Sequence, residues 1–328
     1  MDFDQLFHRF SQLKVAVIGD LMLDTYWWGK VERISPEAPV PVVTVTKREQ
    51  RIGGAGNVAL NLRSLEAKVT VLSVMGKDED GDQLVKLLQQ NHINTKYLVN
   101  SAHRITTNKI RIISRNQQMM RLDAELAEDL VKEDEDKLLY AFENYLAAES
   151  PDVVILEDYN KGVLTEPVIA AVILLCKKHN VLTAVDPKRK NFFAYRGVDV
   201  FKPNLKEAKE ALNILTDTVS LGIMKEIHIL LQEKLAHGVS LVTLSERGIF
   251  YQQGAKAGII PTHIRNVADV SGAGDTVIAV ASLVFAATHN IVLMAELANI
   301  AGGLVCEEVG TAAIEADKFK AECKQLLG

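Results

Sequence analysis

Three cysteines in 328 residues, Cys176, Cys306 and Cys323, are too few and too scattered to staple a secreted fold. They form no CxxC pair and read as reduced thiols of a cytoplasmic protein. No apolar run reaches the roughly 18 residues that cross a bilayer. The acidic start Met1-Asp2-Phe3-Asp4 lacks the basic and apolar pattern of a signal peptide, so no membrane partner is expected. A basic excess is also missing: 37 Lys and Arg stand against 42 Asp and Glu, a net charge of −5, which argues against nucleic acid. The eight histidines have no ligand spacing, so no histidine-built metal centre is expected. There is no GxxxxGK(S/T) phosphate loop, no internal repeat and no low-complexity tract.

What is present suits one large α/β domain with an appended piece: 48% of the residues are hydrophobic. Short β-branched runs recur at Lys14–Ile18, Val69–Met75, Val153–Leu156, Val181–Val185, Val198–Phe201 and Val239–Leu244. Segments of helical period lie between most of them, at Val58–Leu65, Asp82–Gln90, Glu166–His179, Leu205–Leu212 and Met224–Leu235. Nearly all-apolar strands alternating with helices predict a mostly parallel sheet covered on both faces, a three-layer αβα architecture. Ligands of such sheets bind beyond the carboxyl ends of the strands. Asp20, Gly76, Asp158, Asp186, Asn204 and Ser245 all fall there.

Two stretches, about 21–50 and 95–123, break the alternation and read as extended strands of a small sheet, a lid over the strand ends. The second carries a polar turn at Ser114-Arg115-Asn116. Too apolar-poor for its own core, the lid leaves one face bare unless it closes on ligand or pairs with a second copy. The acidic run Asp129–Asp136 reads as a solvated helix start.

Asp269-Val270-Ser271-Gly272-Ala273-Gly274-Asp275-Thr276 precedes the small-residue apolar run Val277–Ala287, a buried helix. Glycines opening a helix expose unpaired N–H groups at its positive end, and Asp275 stands at the same mouth. An acid beside an anion hole can accept a hydroxyl proton while the N–H groups hold charge on a transferring group. An ordinary helix start with a first-turn acid is the plainer alternative. Gly53-Gly54-Ala55-Gly56-Asn57 is a second glycine-rich loop. Gly54–Ala59 formally fits a GxGxxA dinucleotide pattern, but the polar Lys47-Arg48-Glu49-Gln50 separates it from any preceding strand. A helix start that lets a polyhydroxyl ligand approach, with Asn57 as hydrogen-bonding amide, fits better. Asn204-Leu205-Lys206-Glu207 reads as a capping box or as a phosphate and Mg²⁺ element. Lys188 either meets a phosphate or lies on the surface. Lys109 and Arg111, two apart and so on one face of a lid strand, suit a ligand with its own phosphate.

GGAGN at Gly53–Asn57, NxxE at Asn204–Glu207 and DVSGAGDT at Asp269–Thr276 together resemble the ribokinase-like carbohydrate kinase family over essentially the whole chain. Gly19–Asp24, Arg33–Val43, Ser114–Gln118, Arg121–Asp123 and Asp158–Gly162 further resemble the branch that forms the kinase domain of bacterial ADP-heptose synthases. The resemblance implies a ribokinase-like fold and ATP-dependent phosphorylation of D-glycero-D-manno-heptose 7-phosphate at O1, for the lipopolysaccharide inner core. Another sugar, ketohexose phosphate or nucleoside is the alternative within the family, and a silent sugar-phosphate sensor the alternative outside it. It makes Asp275 the base, Gly272, Ala273 and Gly274 the anion hole, and Asn204, Leu205, Lys206 and Glu207 the ATP-phosphate and Mg²⁺ element. Thr243, Ser245, Gly248 and Asn299 line the nucleotide, and Asp20, Gly53, Gly54 and Asn57 hold sugar hydroxyls. Asp269 and the Val309-Gly310 region fall where relatives hold a monovalent cation such as K⁺. With the chain ending at Gly328, a stand-alone kinase without a nucleotidyltransferase domain is expected, as a homodimer through the lid.

Overall fold

The computed structural model describes residues 2–115, 117–216, 218–263, 265–308 and 310–328. The strands are β1 Lys14–Gly19, β2 Leu21–Ile34, β3 Pro41–Gly54, β4 Lys68–Leu72, β5 Val74–Gly76, β6 Val99–Ser101, β7 Thr107–Ser114, β8 Gln117–Ala124, β9 Val153–Glu157, β10 Leu182–Asp186, β11 Val200–Phe201, β12 Val239–Thr243, β13 Ile249–Gln253 and β14 Lys256–Ile260. The helices are α1 Phe3–Phe10, α2 Ala55–Ser64, α3 Glu79–Gln90, α4 Lys132–Glu149, α5 Glu166–Lys178, α6 Leu205–Leu212, α7 Leu221–Leu235, α8 Ala273–Thr288, α9 Ile291–Val305 and α10 Ala316–Leu327.

The main sheet has eight strands in the order β14-β13-β12-β11-β10-β9-β1-β4. Neighbours from β12 to β4 run parallel, and β13 and β14 extend the sheet as an antiparallel hairpin. Being buried on both faces, β1 and β9 are almost wholly apolar. One face packs on α2, α8 and α9 through residues such as Val58, Leu62, Val280 and Leu297; the other packs on α5 and α7 through Val168, Val172 and Leu231. This is the expected three-layer architecture. The run Val69–Met75 does not stay one strand. It breaks at Ser73, whose hydroxyl donates to the Gly19 carbonyl at 2.6 Å, and β5 leaves to pair with β6.

The second sheet, β3-β2-β7-β8, is the small sheet expected of those two stretches, called the lid below. The strand β2 follows β1 with only Asp20 between, and β3 runs directly into α2. Consequently Lys47–Gln50 lie inside a strand, and the GxGxxA stretch does follow one, contrary to the expectation. That strand pairs antiparallel with β2 in the lid and is no part of a βαβ unit, so the dinucleotide reading fails on topology. Asn116, in the expected hairpin turn, lies outside the described residues. The acidic run is only partly solvated. In α4, Asp134 and Glu135 are buried and accept from the hydroxyls of Ser101 and Thr165.

Two buried histidines share a hydroxyl on β12: His228 Nδ1 lies 2.8 Å and His237 Nε2 2.6 Å from Ser240 Oγ. Burial pulls His237 down to about 4. An unfolded histidine titrates near 6.5, so below that pH the unfolded chain takes up a proton the folded one refuses. Stability held above about 6.5 is therefore lost as pH falls toward 4. Raised carboxyls such as Asp158 oppose this, so the test is a difference. Relative to wild type, His237→Leu is expected to gain roughly 3 kcal/mol in urea unfolding between pH 7 and 4. Parallel stability curves for the two proteins would refute it.

Candidate active site

The small apolar residues of α8 form a helix buried from Asp275 to Phe285, and its first turn opens at the carboxyl ends of the parallel strands. Gly272 caps it at φ +80°, and a Cβ there would stand 2.8 Å from Asn57 Nδ2. Glycine therefore lets the starts of α2 and α8 meet. Asn57 Nδ2 donates to Asp275 Oδ2 at 2.7 Å, and the Tyr159 hydroxyl donates to Oδ1 at 2.6 Å. Behind them, Thr276 donates to Asn61 Oδ1 at 3.0 Å and locks the two helices together. Asp275 is only 4% exposed, and the phenol that reaches its Oδ1 comes from the loop after β9. Burial pushes its carboxyl up to about 6, outweighing the two hydrogen bonds. An acid with that pKa is ionised near neutral pH and still basic enough to take a hydroxyl proton. First-turn N–H groups at Ala273-Gly274-Asp275 supply the positive helix end.

Beside Asp275 stand two further buried acids. Glu157 ends β9, Asp186 ends β10, and the two are paired in register. One oxygen from each of Glu157, Asp186 and Asp275 lies within 4.8 Å of the others. Both Glu157 oxygens are buried without a hydrogen-bond partner, and burial next to Asp186 and Asp275 raises its carboxyl well above the ordinary range. Asp186 would be raised by burial too, but the ammonium groups of Lys188 and Lys202 hold it low. Lys202 Nζ lies 2.7 Å from Asp186 Oδ2, and Lys188 Nζ bridges Asp186 Oδ1 at 3.2 Å and Glu207 Oε1 at 3.0 Å. Lys188 is thus no idle surface lysine.

The capping box on α6 is formed: Asn204 Oδ1 accepts from the Glu207 N–H and Glu207 Oε2 from the Asn204 N–H, both at 2.8 Å. Leu205 and Lys206 begin that helix. Thr243 bridges to Asn204. Ser245, Gly248 and Asn299 converge on Pro261-Thr262. Ser245 accepts from the Thr262 hydroxyl, Asn299 Nδ2 donates to the Pro261 carbonyl, and a Cβ on Gly248 would touch Pro261. Thr243 closes β12, with Ser245 and Gly248 just after it, four strands along the sheet from Asp20 at the end of β1.

Asp20 is the single residue between β1 and β2. Its oxygens accept the backbone N–H groups of Tyr159, Lys161 and Val163 at 2.8–3.1 Å, and it is 1% exposed. Those bonds hold the Tyr159 loop. A Cβ on Gly53 would come 2.3 Å from Asp24 Oδ2, and one on Gly54, at φ +59°, 2.4 Å from the Asp20 carbonyl. Packing alone demands both glycines. Arg111 pairs with Asp24 at 2.5 Å, whereas Lys109, on the same face, pairs with no carboxylate among the described residues. Its ammonium lies 5.6 Å from the centre of the Tyr159 ring. Asp269 accepts from Ser271 and from the Gly310 N–H at 3.0 Å, tying the loop before α8 to the chain after α9. Val309 lies outside the described residues.

Tyr159, Glu157 and Lys202 were not singled out from the sequence. Glu157 had a signal: a lone acid closing an otherwise apolar strand beside Asp158. Tyr159 and Lys202 stood in motif stretches as neighbours of quoted residues, with nothing to say where their side chains point.

A profile of the pfkB family carbohydrate kinases matches residues 12–318. The bifunctional protein HldE of Geobacter sulfurreducens is 41% identical over 315 residues, 95% of this chain and 63% of that protein. The HldE of Sulfurimonas denitrificans is 40% identical over 94% of this chain and 63% of its own length. The chain thus spans under two thirds of the curated relatives it matches. Among solved structures, phosphofructokinase-2 from Escherichia coli in complex with potassium superposes with a TM-score of 0.78 at 18% identity, covering 95% of this chain and 99% of that one. Arabidopsis thaliana ribokinase complexed with ribose and ATP gives 0.72 at 15% identity, covering 94% and 98%. With the ribokinase-like fold established and the family profile spanning the sheet, the lid and the glycine turn alike, the chain belongs to the pfkB family of carbohydrate kinases and is an ATP-dependent sugar kinase.

Proposed function

We propose that this kinase transfers the γ-phosphoryl group of ATP to O1 of D-glycero-D-manno-heptose 7-phosphate, giving the 1,7-bisphosphate for ADP-heptose and the lipopolysaccharide inner core. The observation that carries it is the 41% identity with an HldE protein along 95% of the chain. In the reaction the sugar oxygen attacks γ-phosphorus, its proton passes to Asp275, and ADP leaves with the electrons of the broken P–O bond. Positioning and charge neutralisation do most of the work in such transfers. The first turn of α8 faces the migrating group, with Lys188 and Lys202 beside it. Glu157 and Asp186 suit Mg²⁺, because hard carboxylate oxygens are present and those of Glu157 lack any other partner. Mg²⁺ arriving with ATP supplies neutralisation of phosphate charge, with Glu207 one lysine away. A monovalent cation such as K⁺ belongs at the Asp269 loop.

Lys109 reads the 7-phosphate. Lys109→Ala is expected to raise KM for the phosphorylated sugar about tenfold, the worth of one charge-assisted hydrogen bond, with KM for ATP nearly unchanged. Equal movement of the two KM values removes Lys109 from sugar-phosphate recognition. In the lid, β8 is exposed along its length and shows Met119, Met120 and Leu122 to solvent. A second copy covers that face, making a cytoplasmic homodimer. ADP release over a panel of heptose 7-phosphate, fructose 6-phosphate, ribose and a nucleoside tests the assignment. The heptose should lead in kcat/KM, and a better acceptor would replace it.

A further inference from the structure

We propose that Tyr159 is a removable plug, its phenol standing at Asp275 where the acceptor hydroxyl must come, so that the kinase without sugar does not spend ATP on water. This deepens the reading above and rests on its assignment of Asp275 as the base.

The geometry is that of a bound acceptor. The phenolic O–H donates to Asp275 Oδ1 at 2.6 Å, within the distance a hydroxyl needs to surrender its proton to a base. With Asn57 on the other oxygen, the donors seen at the carboxylate are these two side chains, and Asp275 keeps 4% of its surface. A sugar hydroxyl, or a water, reaches the base only if the phenol leaves.

Its backbone is pinned by Asp20, while its side chain is held by contacts that substrates can compete for. Asp20 takes the N–H groups of Tyr159, Lys161 and Val163, so the loop is clamped at the ring's own residue and beyond it. The ring itself is steadied by two ammonium groups, Lys109 Nζ at 5.6 Å and Lys188 Nζ at 5.7 Å from its centre. Lys109 comes from the lid and Lys188 from the segment after β10, so one stands on the sugar side and the other on the nucleotide side. Phosphate groups outcompete an aromatic face for a lysine. A phosphorylated sugar drawing on Lys109 and ATP drawing on Lys188 would each loosen the ring, and the plug yields when both substrates are present.

Tyr159→Phe removes the O–H and keeps the ring between the lysines. With ATP alone, ADP release should rise about tenfold or more, since a water now reaches the base. In that hydrolysis the water oxygen attacks γ-phosphorus, its proton goes to Asp275 and ADP departs. With the best acceptor of the panel, KM for the sugar should fall severalfold, because the hydroxyl no longer displaces a phenol. A tyrosine that merely supports the loop would give the opposite, a raised KM and no extra hydrolysis, and that result overturns the proposal. The double variant with Asp275→Asn should lose the extra hydrolysis; its persistence also overturns the proposal. The ATP-only assay needs no acceptor, so the plug is judged separately from the heptose assignment, which the panel alone decides.

Discussion

Asp275→Asn is expected to lower kcat by about 10²–10⁴-fold, the usual contribution of a positioned base, with little change in KM for ATP. The substitution is isosteric. Asn57 can still donate to the one amide oxygen while the Tyr159 hydroxyl turns to accept from the new amide N–H, so the fold and the glycine turn should persist, which a thermal melt of the variant checks. The wild-type enzyme should lose activity below about pH 6, where burial leaves Asp275 protonated, with kcat/KM falling about tenfold per pH unit. The variant should lose that acid limb. Wild-type turnover by the asparagine enzyme, or an acid limb that survives the change, would show that some other group takes the proton.

The largest stability effect is expected at Lys202. Its ammonium is 2% exposed and sits on Asp186, with Glu157 and Asp275 as the other buried acids of the cluster. Removing one partner of a buried ion pair leaves an uncompensated charge and costs about 3–5 kcal/mol. Lys202→Met keeps most of the volume and none of the charge. It should destabilise the free protein by that amount in urea unfolding at pH 7, and the loss should shrink on acidification as the acids take up protons. A uniform loss at all pH values would point to packing.

The sheet could be read from residue types because a strand buried on both faces must be largely apolar, as β1 and β9 are, while β10 and β12 add only short polar side chains among theirs. The glycine turn was equally open to reading, since a buried small-residue helix entered through Gly272-Ala273-Gly274 leaves few uses for the acid that follows. What escaped was pairing across the sheet. Nothing in the run VVILED says that Glu157 stands in register with Asp186, a strand some thirty residues later, or that both are near Asp275. Asp20 hid a second role for a related reason. Its place after β1 is right for a ligand, but the loop 159–163 takes its oxygens, and only coordinates reveal that competition. The strand character of Lys47–Gln50 was hidden because an exposed lid strand needs no apolar side chains there.

The joint between the two sheets has a mechanical meaning. With Asp20 the lone residue between β1 and β2, and none between β3 and α2, the lid has no slack at its root. The Ala55 N–H, at the head of α2, also donates to the Asp20 carbonyl at 3.0 Å. A tilt of the lid therefore acts as a lever on α2 and carries Asn57, with the carboxylate it grips, along the same arc. Capture of a sugar under the lid and final aiming of the base become a single motion.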